Sequence, residues 1–533
     1  MTKLTSVNPA TLEVSGGVET TDPSEIEGIV QQSRAVQRLW DGYTRKEKLA
    51  CLKALRMKLI DEADRIAHTV HSDTGKPKGE CYSTEIVSSV AMTKYCEETL
   101  RKFRFVQKVD QGPMSLMCRF MRRRSYIEYK PYGVIGVISP YNFPLALPFT
   151  EIVAAVAAGN SVVLKPSSDT PLTGHLIQDL FEESGFPKGL VRAVSGPGIG
   201  SAITSSSVDK IVFTGGTETG RTVMRDAAEK LIPVILELGG KDAMVIMDDA
   251  DIERCADGAT WASFVNSGQV CVSVKRIYVQ RKAYDGFLAR FVSNVKSLKQ
   301  GNGWDDPEVS VGPMINRREL ERMESICSDI LEQGGRILTG GRRNPNLEGY
   351  FFEPTVVADL PHTAPIVGRE VFGPIVCVFP FDTEDEGIEL ANDSGFALSG
   401  SVWTSDLEKG RRMASKMRSG TIDVNNAVYT YGLPATPWGG RGLSGIGTTH
   451  SEEGFRQLLC PHHVHIDRGN HRRDPWWMPY NQDDAELLQD LPGTFFGNKG
   501  GMLSCVRRFL RSRERRRSLY LTRAMQGAVK QWN

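Results

Sequence analysis

The sequence predicts an α/β protein built on doubly wound parallel sheet, and three observations lead there. Short, unbroken apolar runs such as Val134-Ile135-Gly136-Val137-Ile138 and Ser161-Val162-Val163-Leu164-Lys165 have the character of strands buried on both faces. Segments of helical period follow them, at Phe149 to Ala158 and Pro171 to Ser184, giving the alternation of strand and crossover helix. At 533 residues the chain exceeds one ordinary core, so two or three domains are expected.

In chain order, Asp22-Pro23-Ser24-Glu25 supplies a cap, a proline at the first helical position and an acid in the first turn. Ile26, Ile29, Val30, Val36 and Trp40 then mark one apolar face. Leu49, Leu52, Leu55, Ile60 and Ile66 mark a longer helix that should stop near Thr74-Gly75-Lys76-Pro77, and a third helix is expected from Thr84 to about Phe103. This lead-in reads as scaffold. Arg122 to Lys130 starts basic and ends in strand-like alternation, and Thr170 stands as the cap of the helix from Pro171. Leu190 to Val194 reads as a strand before Gly196, Gly198 and Gly200, but the spacing is not GxGxxG, which favours a plain tight turn. Ile211-Val212-Phe213-Thr214-Gly215-Gly216-Thr217-Glu218-Thr219-Gly220 is the stronger anion site. Its strand, glycine turn and helix start aim backbone N–H groups at a pyrophosphate.

Composition narrows the class. With 24% charged and 40% hydrophobic residues, and no apolar run near the ~18 needed to span a bilayer, the chain reads as soluble. Its start has no signal-peptide pattern, so the cytoplasm is expected. Ten cysteines without CxxC pairs suit a reducing compartment and offer no zinc site. The cluster His462, His463 and His465 reads as solvated, and no metal is expected. Residues 501–533 carry eight arginines, one lysine and one glutamate, so the near-neutral total conceals a basic tail on a net-acidic body.

Between Phe264 and Arg276, Cys271 stands among small, polar and Val-rich neighbours. Alone it would read as a buried small hydrophobe. Glu237 sits inside Val-Ile-Leu-Glu-Leu, and Asn142 lies between Pro140 and Pro144. A nucleophile, a base and an oxyanion donor are the parts acyl chemistry requires. Together these stretches resemble the aldehyde dehydrogenase superfamily. The resemblance spans roughly residues 5 to 460 and includes Val162 to Ser168, Glu370-Val371-Phe372-Gly373-Pro374 and Pro437 to Gly445.

That resemblance implies a Rossmann-type dinucleotide-binding domain (1–112 and 132–239), an α/β catalytic domain (240–443) and a small β oligomerisation element (113–131 with 459–470), followed by a C-terminal extension (471–533). It implies attack by the Cys271 thiolate, an oxyanion held by Asn142 and the Cys271 N–H, and water activated by Glu237, whose apolar setting should raise its pKa. Members that pass the acyl group to coenzyme A generally lack this glutamate, so a carboxylic acid is the expected product. Lys165 would bind the adenosine ribose, and Gly215, Gly216 and Gly220 would form the pyrophosphate turn. Glu370 would hold the nicotinamide ribose and Phe372 would pack on the nicotinamide end. The cofactor is NADP or NAD. At Ser168 many NAD-specific members carry a glutamate, which at about 4 Å and an effective dielectric of ~20 would repel a 2′-phosphate charge by about 4 kcal/mol. Its absence implies that NADP is accepted.

The entrance is expected along Leu145, Phe149, Thr150, Phe264, Val265, Val270 and Val272. Members acting on ω-carboxylated semialdehydes often carry arginines where this chain has Thr150 and Val265, so a neutral hydrophobic aldehyde is the first reading and succinate semialdehyde the second. A homodimer or homotetramer is implied. From Leu503, Leu521, Met525, Ala528 and Trp532 at helical spacing beside massed arginines suggest peripheral contact with an anionic membrane, or docking on a protein surface. Nucleic acid is not expected. A coenzyme A-dependent enzyme and a non-catalytic structural protein remain the alternatives.

Overall fold

The apolar runs become the middle of parallel sheets, as they must when helices cover both faces. In the computed structural model, which describes residues 3–115, 118, 122–468, 474 and 476–497, the first sheet holds β1 (Val134–Ile138), β2 (Ser161–Lys165), β3 (Val191–Ala193), β4 (Lys210–Thr214) and β5 (Val234–Glu237). β1 pairs in parallel with both β2 and β4, so the chain order reverses there: β5-β4-β1-β2-β3. Ligands of doubly wound sheets bind beyond the carboxyl ends at such a reversal. The loop leaving β1 carries Asn142.

The second sheet is formed by β6 (Asp242–Ile246), β7 (Val274–Gln280), β8 (Arg336–Thr339), β9 (Thr355–Ala358), β10 (Ile375–Phe381), β11 (Ser399–Trp403) and β12 (Thr421–Val424), in the order β8-β9-β10-β7-β6-β11-β12. Only β8 pairs antiparallel. The link Leu238-Gly239-Gly240-Lys241 passes from β5 to β6. A last strand, β13 (Gly445–Ile446), returns to pair antiparallel with β5, placing Gly445 opposite Glu237.

The helices follow the sequence pattern with one break. Asp22 accepts from Ser24 N–H ahead of α1 (Ile26–Asp41), whose Ile26, Ile29 and Val30 join the core on β1 and β4. The single long helix expected next is two, α2 (Arg45–Asp61) and α3 (Ala63–Thr74). Glu62 leaves the helical region between them (φ −107°, ψ 21°), its carboxylate held by Lys58 and Arg65. Gly75 ends α3 in the left-handed conformation. A π-helical turn over Cys81–Ile86 precedes α4 (Val87–Lys102). α5 (Ala146–Ala157), α6 (Pro171–Glu183) and α7 (Thr217–Ala228) cover the first sheet's crossovers. Thr170 stands at the start of α6 but makes no capping bond, its hydroxyl buried without a partner.

These elements belong to one compact unit, Met1–Phe103 with Pro131–Leu459. A second unit, Arg104–Lys130 with Cys460–Asn533, contains a three-stranded sheet in which Arg123–Pro131 lies between Val106–Lys108 and Leu459–Asp467. Within it Arg123 pairs with Asp467 at 2.8 Å and with Asp474. His462, His463 and His465 are exposed on the outer strand. Trp477, Met478 and Tyr480 are exposed ahead of the helix Gln482–Phe496. The basic helix expected from Leu503 lies outside the described residues. Among the described residues, no helix is long and apolar enough to cross a membrane.

Candidate active site

Cys271 is positioned by a strained turn. After α8 (Ile252–Phe264) the chain passes through Asn266 (φ 51°), Ser267 (φ 55°) and Gly268 (φ 67°) before reaching the nucleophile. Left-handed non-glycine residues cost of order 1–3 kcal/mol each and persist only where surroundings enforce them. Here Ser267 Oγ donates to Gly312 O at 2.6 Å, and Gln269 Nε2 donates to Pro313 O at 3.2 Å. Asn266 N–H donates to the Glu80 carboxylate at 3.1 Å. Gly268 tolerates no side chain, since a Cβ would stand 2.4 Å from Gly373 O. The result is a half-buried Cys271 flanked by buried Val270 and Val272.

The thiol is surrounded by acids. Burial first, then the neighbouring carboxyl groups of Asp242, Glu237 and Glu370, push its pKa up. Glu237 ends β5, only 8% exposed; Trp438 Nε1 donates to its Oε2 at 3.2 Å while Oε1 has no partner. Burial, then the neighbouring Glu151 carboxyl, push Glu237 up to about 8. Glu151, on the apolar helix α5, is itself raised to about 8 by burial. The sequence reading found Glu237 but missed Glu151, although it placed the adjacent Thr150 at the entrance.

Asn142 is 3% exposed, and among the described residues its side-chain oxygen has no partner and no bond engages its amide NH₂. Among the described residues nothing accepts the Cys271 N–H either. The two donors expected for an oxyanion are therefore both unspent. The Asn142 carbonyl, by contrast, is doubly engaged: it accepts from Asn266 Nδ2 at 2.9 Å and from Lys76 Nζ at 3.0 Å. Lys76 had read only as part of a helix stop.

A cleft of about 330 Å³ joins these residues to the cofactor side; its walls include Asn142, Gly215, Gly216, Cys271, Glu370 and Phe372. The glycine turn meets α7 with Gly216 as N-cap and no side-chain cap, leaving first-turn N–H groups for an anion. Gly216 has open space where a Cβ would stand, whereas Gly220 lies buried against Leu238, where a Cβ would come within 2.4 Å. Gly220 thus serves helix packing. Glu370 accepts from Gly240 N–H at 3.2 Å, and its other oxygen lies over Gly239. Phe372 (φ 48°) meets Tyr141 edge-on at 5.9 Å. These groups fit a dinucleotide. Lys165 and Ser168 do not line the cleft: Lys165, half-buried at the end of β2, has its pKa lowered by desolvation, and Ser168 is exposed beyond it. Arg318 and Arg322, on α9 (Arg317–Glu332), also line the cleft and escaped the sequence reading, because their helix reads as an ordinary charged surface.

The expected entrance residues divide. Val265, Val270 and Val272 form an apolar cluster with Leu398 and Trp438, against which Phe143, Cys271 and Tyr431 pack. Thr150 joins its edge through a 3.1 Å bond to Tyr431 Oη. Phe149 and Phe264 do not take part: Phe149 packs on Phe181, and Phe264 stacks on Phe291 in the second sheet's core.

Residues 1–464 match the model of the aldehyde dehydrogenase family. The 4,4'-diapolycopene aldehyde oxidase of Methylomonas sp is 34% identical over 93% of this chain and 92% of its own length, a coverage that carries the likeness past residue 464. A probable succinate-semialdehyde dehydrogenase [NADP(+)] of Sinorhizobium fredii is 35% identical over 85% of this chain and 90% of its own. Among solved structures, a Mycobacterium tuberculosis aldehyde dehydrogenase complexed with NAD+ superposes with a TM-score of 0.82 at 32% identity, covering 87% of this chain and 94% of that one. A betaine aldehyde dehydrogenase of Staphylococcus aureus in complex with NAD+ gives 0.84 at 33%, covering 89% and 93%. The match spans both sheets, the cleft and the cysteine turn, and the chain belongs to the aldehyde dehydrogenase family.

Proposed function

We propose that this enzyme oxidises a neutral, apolar aldehyde to its carboxylic acid, with Cys271, Asn142 and Glu237 carrying the reaction. The observation that carries the reading is the cleft in which Cys271 and the unengaged Asn142 amide face the glycine turn, Glu370 and Phe372. Cys271 sulfur releases its proton to solvent water as it bonds to the carbonyl carbon, and Asn142 Nδ2 with the Cys271 N–H hold the oxyanion. Loss of one such donor typically costs a factor on the order of 10² to 10³. Bound NADP or NAD, held by Gly215, Gly216, Glu370 and Phe372, with Lys165 and Ser168 toward the adenosine ribose, supplies the hydride acceptor. Glu237 then takes a proton from the water that attacks the Cys271 thioester; the acid leaves and the thiol regains its proton.

Val265, Val270, Val272, Leu398 and Trp438 form the apolar cluster on which Cys271 packs, which supports an apolar substrate, since an unpaired carboxylate buried against it would be costly. The relative named for 4,4'-diapolycopene aldehyde points the same way. Succinate semialdehyde is the second reading, favoured by relatives of that name and by Arg318 and Arg322 in the cleft. The test is kcat/KM for straight-chain aldehydes of increasing length against succinate semialdehyde, each with NADP and NAD. Efficiency should rise with chain length, whereas a tenfold advantage for succinate semialdehyde, about 1.4 kcal/mol, overturns the neutral reading.

The remaining assignments belong to the same proposal. Residues 1–112 and 132–239 form the cofactor half and 240–443 the catalytic half, and 113–131 with 459–470 assemble a homodimer or homotetramer in the cytoplasm. The basic tail of the extension 471–533 is solvated, docked on a subunit surface, or peripheral to anionic membrane, and vesicle binding distinguishes the last.

A further inference from the structure

The Asn142 carbonyl receives two donors distant in sequence, Lys76 Nζ from 66 residues before it and Asn266 Nδ2 from 124 residues after it. We propose that Lys76 is a positioning residue of the reaction, the centre of a buried clamp that fixes the oxyanion donor relative to the nucleophile turn. The inference rests on the assignment of Asn142 as oxyanion donor.

The clamp is built by the π-helical turn. Glu80 stands at its N-cap and Glu85 lies within it, five residues apart, the spacing that a π-turn brings back to one side. Glu85 is 0% exposed; its Oε1 takes Lys76 Nζ at 2.5 Å, and its Oε2 accepts from Leu145 N–H at 3.1 Å and Ala146 N–H at 2.7 Å. Those two N–H groups open α5, so one carboxylate anchors the helix that follows Asn142 while pairing with the ammonium. Glu80 takes Asn266 N–H in the nucleophile turn. Lys76 also lies over the Phe143 ring, 4.2 Å from its centroid. The peptide between Asn142 and Phe143 is therefore gripped by an ammonium, an amide and a ring contact, and the Asn142 side chain is left free to act.

A buried ion pair is a weak source of stability, because desolvation offsets much of its attraction. What it supplies here is registry. Two segments 124 residues apart, Asn142 and Asn266, are tied to one carbonyl, and productive catalysis tolerates displacement of well under 1 Å.

The test is a double-mutant cycle of Lys76→Gln with Asn142→Ala, read by steady-state turnover and by the rate of Cys271 alkylation with iodoacetamide, which forms no oxyanion. Lys76→Gln should lower kcat by about 10- to 100-fold with alkylation within twofold of the parent. In the Asn142→Ala background it should change kcat by less than about threefold, because the group it positions is gone. Lys76→Arg should restore part of the loss. Equal losses in both backgrounds, or alkylation falling in step with kcat, overturn the clamp and leave Asn142 assigned. Undiminished turnover in Asn142→Ala overturns the donor assignment and the clamp with it. If Lys76→Gln does not fold, Lys76→Arg, which keeps the buried cation but displaces the donor, enters the same cycle, with a smaller loss of kcat that should likewise vanish in the Asn142→Ala background while alkylation stays within twofold.

Discussion

Glu237 and Cys271 share a dry, acidic setting, and their protonation sets the pH profile. Burial and Glu151 raise Glu237 to about 8, so the carboxylate that accepts the water proton forms only as pH rises through that value. Deacylation should therefore climb with pH to a plateau above about 9, and Glu237→Gln should keep a hydride burst while stalling turnover and losing this limb. Trp438 donates the bond that favours the charged carboxylate. Trp438→Phe should move the limb alkaline by up to about one unit, seen in pre-steady-state pH profiles. The sign of the linked stability follows. Glu237 and Glu151 both have folded pKa values raised from 4.5, so their contribution is present below about 4.5 and lost as pH rises through about 8. Melting temperature should fall between pH 5 and 9, and Glu151→Gln should flatten that fall. At the adenosine end, Ser168→Glu should shift the kcat/KM ratio toward NAD by at least tenfold.

At the scale of elements, the link between β5 and β6 decides how closely the two sheets approach at the site. A Cβ on Gly240 would stand 2.1 Å from Cys271 O, and one on Gly239 2.4 Å from Glu370 Oε2. Gly240→Ala should therefore cost about 100-fold or more in kcat while nicotinamide-cofactor affinity, read by fluorescence titration, changes little. Strands β1, β2 and β4 were legible as continuous apolar runs because burial on both faces writes itself into every position. Cys271, Glu237 and Asn142 were legible because each sits in a stretch whose neighbours resemble one family. Lys76, Glu85 and Glu151 were not. The contacts of Lys76 and Glu85 with the Asn142 loop and α5 span 60 or more residues, and such pairing leaves no local periodicity. Glu151 is one acid in a helix of otherwise buried apolar and small residues, and it shows itself only when β5 is laid beside it. The break at Glu62 escaped for a smaller reason: the apolar spacing runs through it with little change, while the backbone does not.

For the whole molecule, the substrate and the extension make one linked expectation. If long apolar aldehydes are delivered from membrane, the arginine-rich residues 501–533 and exposed Trp477, Met478 and Tyr480 should bind anionic vesicles. The full chain should pellet with phosphatidylserine-containing vesicles at low salt, and a chain ending at Gly500 should lose most of that binding with kcat on soluble aldehydes unchanged. Equal pelleting of both would remove the tail from the account. β13 adds a constraint of another kind. It pairs Gly445 with Glu237, so the first sheet closes only after most of the protein has been made. At about 5–20 residues per second a ribosome needs on the order of 10 to 40 s between those positions. Throughout that interval the nascent chain holds β5 as an open edge, a template for mispairing. A polypeptide halted before residue 443 should accordingly aggregate, however complete its second sheet, and synthesis of this enzyme is exposed to chaperone capture until nearly its last strand emerges.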